Sequence, residues 1–272
     1  MNSISVFLEH IYEAATQRSI PLEEALRAAK SFGIDYLECD HWRLFDKGMK
    51  ELFDRCGMGV SCIYEHFDFL NDNAAVSEEK YRRLFETAVY YGCKRVLCIP
   101  GFSEHPEDDL PRFAEGVSAM CSAAEEYGVT VTVEDFDDIK SPCCRMKWLG
   151  YLLENISGLR YTFDTGNFRY CLESAEDAYR LLKRYVSHVH CKDRSYDTAT
   201  SSADGSNGKA DLSGAVMYPA AVGYGVIGME ELVRQLISDG YDGVFAIEHF
   251  GAVDQIDYMK LSADKLRSFM EE

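Results

Sequence analysis

Acidic and imidazole side chains lie near the ends of four short segments in which bulky apolar residues alternate with smaller or polar ones. These segments are TVTVE (130–134), YTFD (161–164), HVHCK (188–192) and FAIE (245–248). A period of two is typical of a β-strand, whose successive side chains leave opposite faces. If the bulky residues face surrounding helices, the other faces carry, toward their carboxyl ends, Glu134, Asp164, His190 and Glu248.

Three carboxylates and one imidazole that meet in one place could not stay buried and charged without a large cost in free energy. A divalent cation would resolve their repulsion. Three oxygen donors and one nitrogen donor suit Mn²⁺, Mg²⁺ or Co²⁺ better than a tetrahedral zinc site, with Zn²⁺ kept as an alternative. The competing interpretation is an interior network of ion pairs and hydrogen bonds that holds no metal.

An alternation of elements along the whole chain would bring these four residues together. Eight short β-type segments, each followed by an amphipathic stretch, occupy the 272 residues. This alternation indicates right-handed parallel βαβ units, and eight units at this length favour a single (β/α)8 TIM barrel over an open sheet. In such a barrel the carboxyl ends of the strands form the face that holds the active site.

The boundaries of the predicted elements follow the hydrophobic period and the glycines that end helices. The predicted strands cover residues 3–8, 35–39, 59–64, 95–99, 129–134, 159–164, 187–192 and 244–248. The predicted helices cover residues 21–32, 47–56, 78–91, 107–127, 144–155, 175–185, 229–239 and 254–269.

A single domain over residues 1–272 is predicted, because no Pro- or Ser-rich linker divides the chain. The segment 198–214 is rich in Ser, Gly, Asp and Ala and lacks an apolar period, which indicates a flexible loop after the seventh predicted strand. It is either a lid over a site or a surface loop. Farther along, Gly223-Tyr224-Gly225 before a helix could cradle a phosphate or form a turn.

The seven histidines are distributed unevenly among the predicted elements. They lie within predicted strands or beside their ends, and none falls in a predicted helix. This placement indicates a polar face at the ends of the strands. The residues are His10, His41, His66, His105, His188, His190 and His249.

Composition excludes several classes of function. Lys and Arg total 28 against 46 Asp and Glu, and the net charge of −18 argues against a surface that binds nucleic acid. No segment is apolar over the 18 residues that a transmembrane helix needs, and the first residues lack the pattern of a signal peptide. Most of the ten cysteines sit in apolar runs without a C-x-x-C pair, as expected for reduced thiols in a cytoplasmic protein.

The sequence resembles the sugar phosphate isomerase/epimerase family of xylose isomerase-like TIM barrels. The order and spacing of the matching segments agree with the family across essentially the whole chain. The family includes ketose 3-epimerases, hydroxypyruvate isomerase, inosose dehydratase and, more distantly, endonuclease IV. The matching segments are AAEEYGVTVTVED (123–135), YTFDTGNF (161–168), HVHCKD (188–193), VGYGVIGMEEL (222–232) and GYDGVFAIEHF (240–250).

The resemblance implies one divalent metal ion held by Glu134, Asp164, His190 and Glu248, with Glu134 and Glu248 also catalytic as the proton-transferring pair. Lys192 matches the lysine of the H-x-K-D signature and is implied to bind substrate. The implied activity is metal-dependent isomerisation or epimerisation of a sugar, sugar phosphate or related hydroxy-carbonyl compound through a metal-stabilised enediolate. The alternatives are a lyase of the inosose dehydratase type and a non-catalytic sugar-binding barrel. Because relatives are often dimers or tetramers, the resemblance also leaves a homo-oligomer as an alternative to a monomer.

Three positions differ from the pattern of ketose 3-epimerases. Where those enzymes have a second Glu, a His three residues after the metal Asp and an Arg six residues after the metal His, this chain has Lys140, Asn167 and Tyr196. These departures argue against 3-epimerisation of an unmodified ketose. The candidate substrate-binding residues are His66, His188, Asn167, Lys192 and Arg194.

Overall fold

The computed structural model describes residues 2–46 and 48–271. The strands are β1 (Ser3–Phe7), β2 (Tyr36–Asp40), β3 (Gly59–His66), β4 (Arg95–Ile99), β5 (Thr130–Glu134), β6 (Arg160–Asp164), β7 (Val186–Lys192), β8 (Arg194–Ser195), β9 (Lys209–Ala210), β10 (Val216–Pro219) and β11 (Val244–Glu248). The helices are α1 (Leu8–Arg18), α2 (Leu22–Ser31), α3 (Gly48–Cys56), α4 (Ala74–Tyr91), α5 (Pro106–Ala124), α6 (Met146–Asn155), α7 (Asn167–Tyr170), α8 (Ala175–Leu182), α9 (Met229–Ser238) and α10 (Gln255–Met270). Short 3₁₀ helices cover His41–Phe45, Glu125–Tyr127, Lys183–Tyr185 and Thr198–Thr200.

Eight parallel strands close into a barrel in the order β1-β11-β7-β6-β5-β4-β3-β2. The predicted (β/α)8 fold is confirmed. The alternation of bulky and small polar residues along β6 shows what each face of a barrel strand contacts. The ring of Phe163 packs against Tyr179 of α8, at 5.5 Å between centroids. The hydroxyl of Thr162 donates to Thr132 Oγ1 of β5 at 2.8 Å, so bulky residues face a helix and small polar residues meet between strands.

Two compact units divide the chain. The first contains residues 1–38, 46–59 and 189–272, and in it β1 pairs with β2 and β11, while β11 pairs with the end of β7. The second contains residues 39–45 and 60–188, and in it β3, β4, β5 and β6 pair in sequence. The assignment of residues 1–272 to a single domain stays a prediction.

Helix α1 is absent from the sequence prediction, which has no helix between residues 8 and 18. Its N-cap residue is Phe7, whose side chain makes no capping hydrogen bond, and β1 leads directly into the helix. Both features remove the signals by which a helix start is recognised. His10 is therefore a helical residue just beyond β1, and His41 begins a 3₁₀ helix, although neither lies in a predicted helix.

The segment 198–214 has local structure of its own. It contains a 3₁₀ helix and β9, and β9 joins β10 and β8 in a small antiparallel sheet. The side-chain amide of Asn207 donates to the carbonyl oxygens of Thr200 and Gly251, each at 3.0 Å. This contact ties the segment to the turn after β11. Its flexibility and its action as a lid stay predictions.

Among the helices of residues 2–46 and 48–271, none combines the length and apolar character needed to cross a bilayer. The ten cysteines are all buried, as the apolar runs around them predict.

Candidate metal centre

The ends of β7 and β11 hold a buried cluster of a histidine, a lysine and a glutamate. In the parallel register Ala246 lies opposite His190, and Glu248 lies opposite Lys192. Glu248 Oε2 is 3.4 Å from His190 Nδ1, and Glu248 Oε1 is 2.6 Å from Lys192 Nζ. Burial by itself raises the pKa of the Glu248 carboxyl. The charge of Lys192 and the contact with His190 outweigh burial, so that the pKa lies well below its usual range.

On the other side of the His190 imidazole lies a residue that the sequence prediction missed. Glu38 of β2 is buried, and its Oε2 lies 3.7 Å from His190 Nε2. The hydroxyl of Ser5 on β1 donates to Glu38 Oε1 at 2.8 Å, and the ring of Phe7 meets the imidazole edge-on at 5.0 Å. A carboxylate behind a metal-binding histidine is a common second support for the ring.

The carboxylate of Asp164 at the end of β6 is held by the turn that follows it. Its Oδ1 accepts the backbone N–H of Gly166 at 2.7 Å and of Asn167 at 2.8 Å. The backbone N–H of Asp164 donates to Asp135 Oδ1, which also accepts the Tyr161 hydroxyl at 2.6 Å. Asp135 follows Glu134 and was not predicted as part of the site. It fixes the end of β6 beside the end of β5.

Glu134, Asp164, His190 and Glu248 each offer one donor atom, and these four atoms all lie within 4.8 Å of one another. All four residues are buried. Three carboxylates this close together need positive charge, and the ion pair of Lys192 with Glu248 offsets the charge of one. The donor set of three oxygens and one nitrogen fits a divalent cation. The role of these residues as metal ligands stays a prediction.

Comparison with known proteins assigns the chain to a family. A family model described as xylose isomerase-like TIM barrel matches residues 26–269. The chain belongs to this xylose isomerase-like TIM barrel family. The curated relative Inosose dehydratase 1 of Bacillus cereus is 24% identical over 215 residues, which cover 70% of this chain. The match covers 62% of that relative, so the chain spans less than two thirds of its length.

Solved structures agree on the fold of the xylose isomerase-like barrel. A probable 3-DHS dehydratase from Bacillus anthracis superposes with a TM-score of 0.74 at 15% identity, covering 97% of this chain and 98% of that one. An L-ribulose 3-epimerase superposes with a TM-score of 0.73 at 16% identity, covering 100% of this chain and 95% of that one. At identities this low, the superpositions establish the shared fold alone. The named relatives include both an epimerase and dehydratases.

Two of the predicted substrate-binding residues of this xylose isomerase-like barrel are engaged with protein atoms. The Asn167 side-chain amide donates to the carbonyl oxygen of Asp135 at 2.7 Å, which ties α7 to the end of β5. His188 lies lower on β7 than His190, with its Nδ1 3.4 Å from Arg95 Nη1 at the start of β4. These contacts assign both side chains a supporting role, and contact with a substrate stays a prediction for each.

His66 ends β3, and its side chain is exposed. Its backbone N–H donates to the carboxylate of Glu65 at 2.9 Å, and Lys80 Nζ donates to its carbonyl oxygen. Partial burial lowers the pKa of His66 below its usual value, although Asp40 and Glu65 act in the opposite direction. Its predicted contact with substrate is not tested by these bonds.

The Gly223-Tyr224-Gly225 turn does not present its N–H groups to a phosphate, and that alternative of the sequence prediction is wrong. Asp193 Oδ2 accepts the N–H groups of Gly223 and Gly225, each at 2.9 Å. Asp193 Oδ1 accepts those of Ile227 at 3.2 Å and Arg194 at 2.8 Å. An internal carboxylate thus occupies the concave turn that an anion would need.

Two further histidines lie beside the β7–β11 cluster. The rings of His10 and His249 stack with centroids 4.6 Å apart, and the backbone N–H of His249 donates to His10 Nε2 at 3.0 Å. Burial lowers the pKa of His249 to about 3 and that of His10 well below 6.5. Both rings are therefore neutral, and because Nε2 of His10 accepts a hydrogen bond, its proton is on Nδ1.

Proposed function

We propose that this protein is a divalent-metal-dependent isomerase or epimerase that acts on a sugar, sugar phosphate or related hydroxy-carbonyl compound. The observation that carries the proposal is the buried set of Glu134, Asp164, His190 and Glu248, whose donor atoms lie within 4.8 Å of one another. These four residues would hold the metal, which we take to be Mn²⁺, Mg²⁺ or Co²⁺ from the donor set, with Zn²⁺ as an alternative.

The metal, when bound, would act as a Lewis acid that lowers the cost of negative charge on the oxygens of a hydroxyketone. Glu134 would remove the proton from the carbon next to the carbonyl group, which gives an enediolate. Return of the proton by Glu134 to the neighbouring carbon, with the hydroxyl proton passing to the former carbonyl oxygen, would isomerise the compound. Delivery of a proton from Lys192 Nζ to the opposite face of the same carbon would invert its configuration. Lys192 would donate hydrogen bonds to a substrate oxygen.

The contact between Lys192 and Glu248 limits what Glu248 can do in this reaction. Its carboxylate is 2.6 Å from the ammonium group, and its pKa lies well below the usual range. A weakly basic carboxylate is a poor acceptor for a C–H proton. We therefore assign the proton-accepting role to Glu134. Glu248 is left to orient Lys192 and to contribute a metal ligand.

Solvent deuterium exchange tests the proposal directly. The purified chain is incubated in deuterium oxide with a panel of ketoses, polyol ketones and their phosphates, and the products are followed by NMR. We expect deuterium at the carbon next to the carbonyl of at least one compound and formation of its isomer or epimer. Removal of the metal by a chelator should abolish exchange, and added Mn²⁺ or Mg²⁺ should restore it. Exchange that survives full removal of the metal contradicts the proposal.

A lyase of the inosose dehydratase type is the second candidate, and the Lys192–Glu248 ion pair favours it. In a dehydration Glu134 takes the C–H proton, a carbon–carbon double bond forms, and the C–O bond one carbon away breaks. The departing hydroxide needs a proton, which Lys192 Nζ could give to release water. The curated relative with 24% identity is named as a dehydratase of this kind.

The variant Lys192→Gln separates these two reactions. If the protein is a lyase, the variant should still exchange the C–H proton at a rate within about tenfold of the wild type. It should lose at least about 100-fold in formation of the dehydrated product, because the general acid is gone. The exposed variant Lys50→Gln, whose ion pair with Asp54 is on the surface, is the control. Equal loss of exchange and dehydration would contradict a role for Lys192 confined to the leaving group.

A further inference from the structure

Arg194 is a buried cation that the proposed reaction does not use. The residue is 6% exposed. Within residues 2–46 and 48–271, its Nε and Nη1 atoms have no hydrogen-bond partner, and the guanidinium forms no ion pair. Because an arginine stays charged at any physiological pH, a guanidinium buried without an anion is costly. Binding of an anionic ligand beside the guanidinium would offset this free-energy cost of burial.

The backbone around Arg194 is fixed on both sides. Its carbonyl oxygen accepts the N–H of Val226 at 2.8 Å, and in the small antiparallel sheet it lies opposite Pro219. The preceding residue, Asp193, turns its carboxylate to the 223–227 turn. Arg194 follows Lys192, the last residue of β7, by two positions, and the Lys192 ammonium group contacts Glu248 of the candidate metal centre.

The two carboxylates near Arg194, those of Glu248 and Asp193, are already engaged by other groups. The charge of Arg194 acts on His10 and His249, whose rings stack with centroids 4.6 Å apart. The carboxylate of Glu248 is paired with Lys192. The carboxylate of Asp193 accepts four backbone N–H groups on the opposite side of the chain. The surroundings therefore leave the charge of Arg194 available to a ligand.

We infer that Arg194 binds an oxyanion group of the substrate, a carboxylate or a phosphate monoester, beside the candidate metal centre. This inference rests on the proposed function for the location of the substrate. It narrows the substrate class to anionic hydroxy-carbonyl compounds. The guanidinium provides N–H donors in a plane that match the oxygens of either group. The Arg194 guanidinium would favour acidic substrates over neutral sugars of the same length, because a neutral group would leave the guanidinium unpaired.

Direct binding of simple anions tests this inference. Inorganic phosphate and, separately, acetate are titrated into the purified full chain by calorimetry at neutral pH and low ionic strength. We expect one equivalent to bind and the Arg194→Gln variant to bind at least about tenfold more weakly, since a charge-assisted hydrogen bond is lost. The probe that binds more tightly identifies the group. The control Arg234→Gln removes a surface charge that pairs with Glu230, and should bind as the wild type does.

Arg194→Lys keeps the charge but loses the planar set of donors, and should bind with intermediate affinity. If Arg194→Gln does not fold, the anion affinity of Arg194→Lys is compared with that of the wild type instead. Metal content is measured in every sample, so binding that follows the metal rather than residue 194 would overturn the inference. Unchanged binding in both variants, or none in the wild type, would also overturn it. Deuterium exchange into the whole panel, neutral ketoses and phosphates alike, is measured separately, so failure of the proposed reaction is distinguishable from failure of anion binding.

Discussion

Replacement of Glu134 by Gln should lower turnover by at least about 10³-fold while leaving the protein folded. Gln has nearly the volume of Glu, so the buried end of β5 keeps its packing. It loses the negative charge that would hold a cation and the basicity that would accept a C–H proton. General base catalysis alone contributes about 10²- to 10⁴-fold, and the metal contribution adds to it. The measurement is the rate of deuterium exchange into the best substrate of the panel.

Metal content separates the two roles of Glu134 in that experiment. Turnover of Glu134→Gln is measured at rising Mn²⁺ concentration until it saturates, and bound metal is determined by elemental analysis. A variant that binds one equivalent at saturation and still loses about 10³-fold in rate has lost its base. The matched control is Glu126→Gln, an exposed residue of the same type whose ion pair with Arg82 lies on the surface. A saturated rate within about tenfold of the wild type would remove Glu134 from the catalytic role.

The strands that carry the candidate ligands were the most predictable part of the molecule. For β11 the predicted and observed ranges coincide, and β5, β6 and β7 differ by one residue at their starts. Their alternation is strong because one face packs on helices and the other carries small or polar residues. Since parallel strands of one barrel end on one face, the sequence order alone was enough to group Glu134, Asp164, His190 and Glu248.

The residues that support those ligands could not be found in the same way. Glu38 is linked to Ser5 and His190, which lie 33 and 152 residues away, and the period of a strand does not indicate which distant side chain it meets. Asp135 is oriented by Tyr161, a residue assigned only to the helix-facing side of its strand. Hydrophobic patterns predict faces, whereas hydrogen-bond partners depend on the register between strands.

The same limit explains the incorrect alternative for Gly223 and Gly225. A glycine pair before a helix is compatible both with a bound phosphate and with any carboxylate that reaches the turn. Asp193 is 30 residues before Gly223 in the chain, and only the fold brings its Oδ2 within 2.9 Å of the two N–H groups. The role of Asp193, the aspartate of the H-x-K-D segment, is thus to hold the 223–227 turn. Its neighbours in the chain are Lys192 and Arg194.

Replacement of Asp193 by Ala should therefore destabilise the protein by about 3 kcal/mol, chiefly through the 223–227 turn. Four N–H donors lose their acceptor at once: those of Arg194, Gly223, Gly225 and Ile227. Burial raises the pKa of Asp193, against the lowering effect of these N–H groups, so their bonds to the carboxylate keep a charge where water does not reach it. For a chain of this size the loss corresponds to a fall in Tm of roughly 6–10 °C.

Asp211→Ala is the matched control, because Asp211 Oδ1 also accepts backbone N–H groups, from Ser213 at 2.8 Å and Ala215 at 3.0 Å, but in an exposed turn. Water can replace that carboxylate, so the expected loss is below about 1 kcal/mol. Asp193→Asn, which keeps one acceptor oxygen, should fall between the two. Because Arg194 follows Asp193 directly, Asp193→Ala should also weaken anion binding, whereas Asp211→Ala should not. Equal Tm values for Asp193→Ala and Asp211→Ala would show that the turn does not depend on this carboxylate.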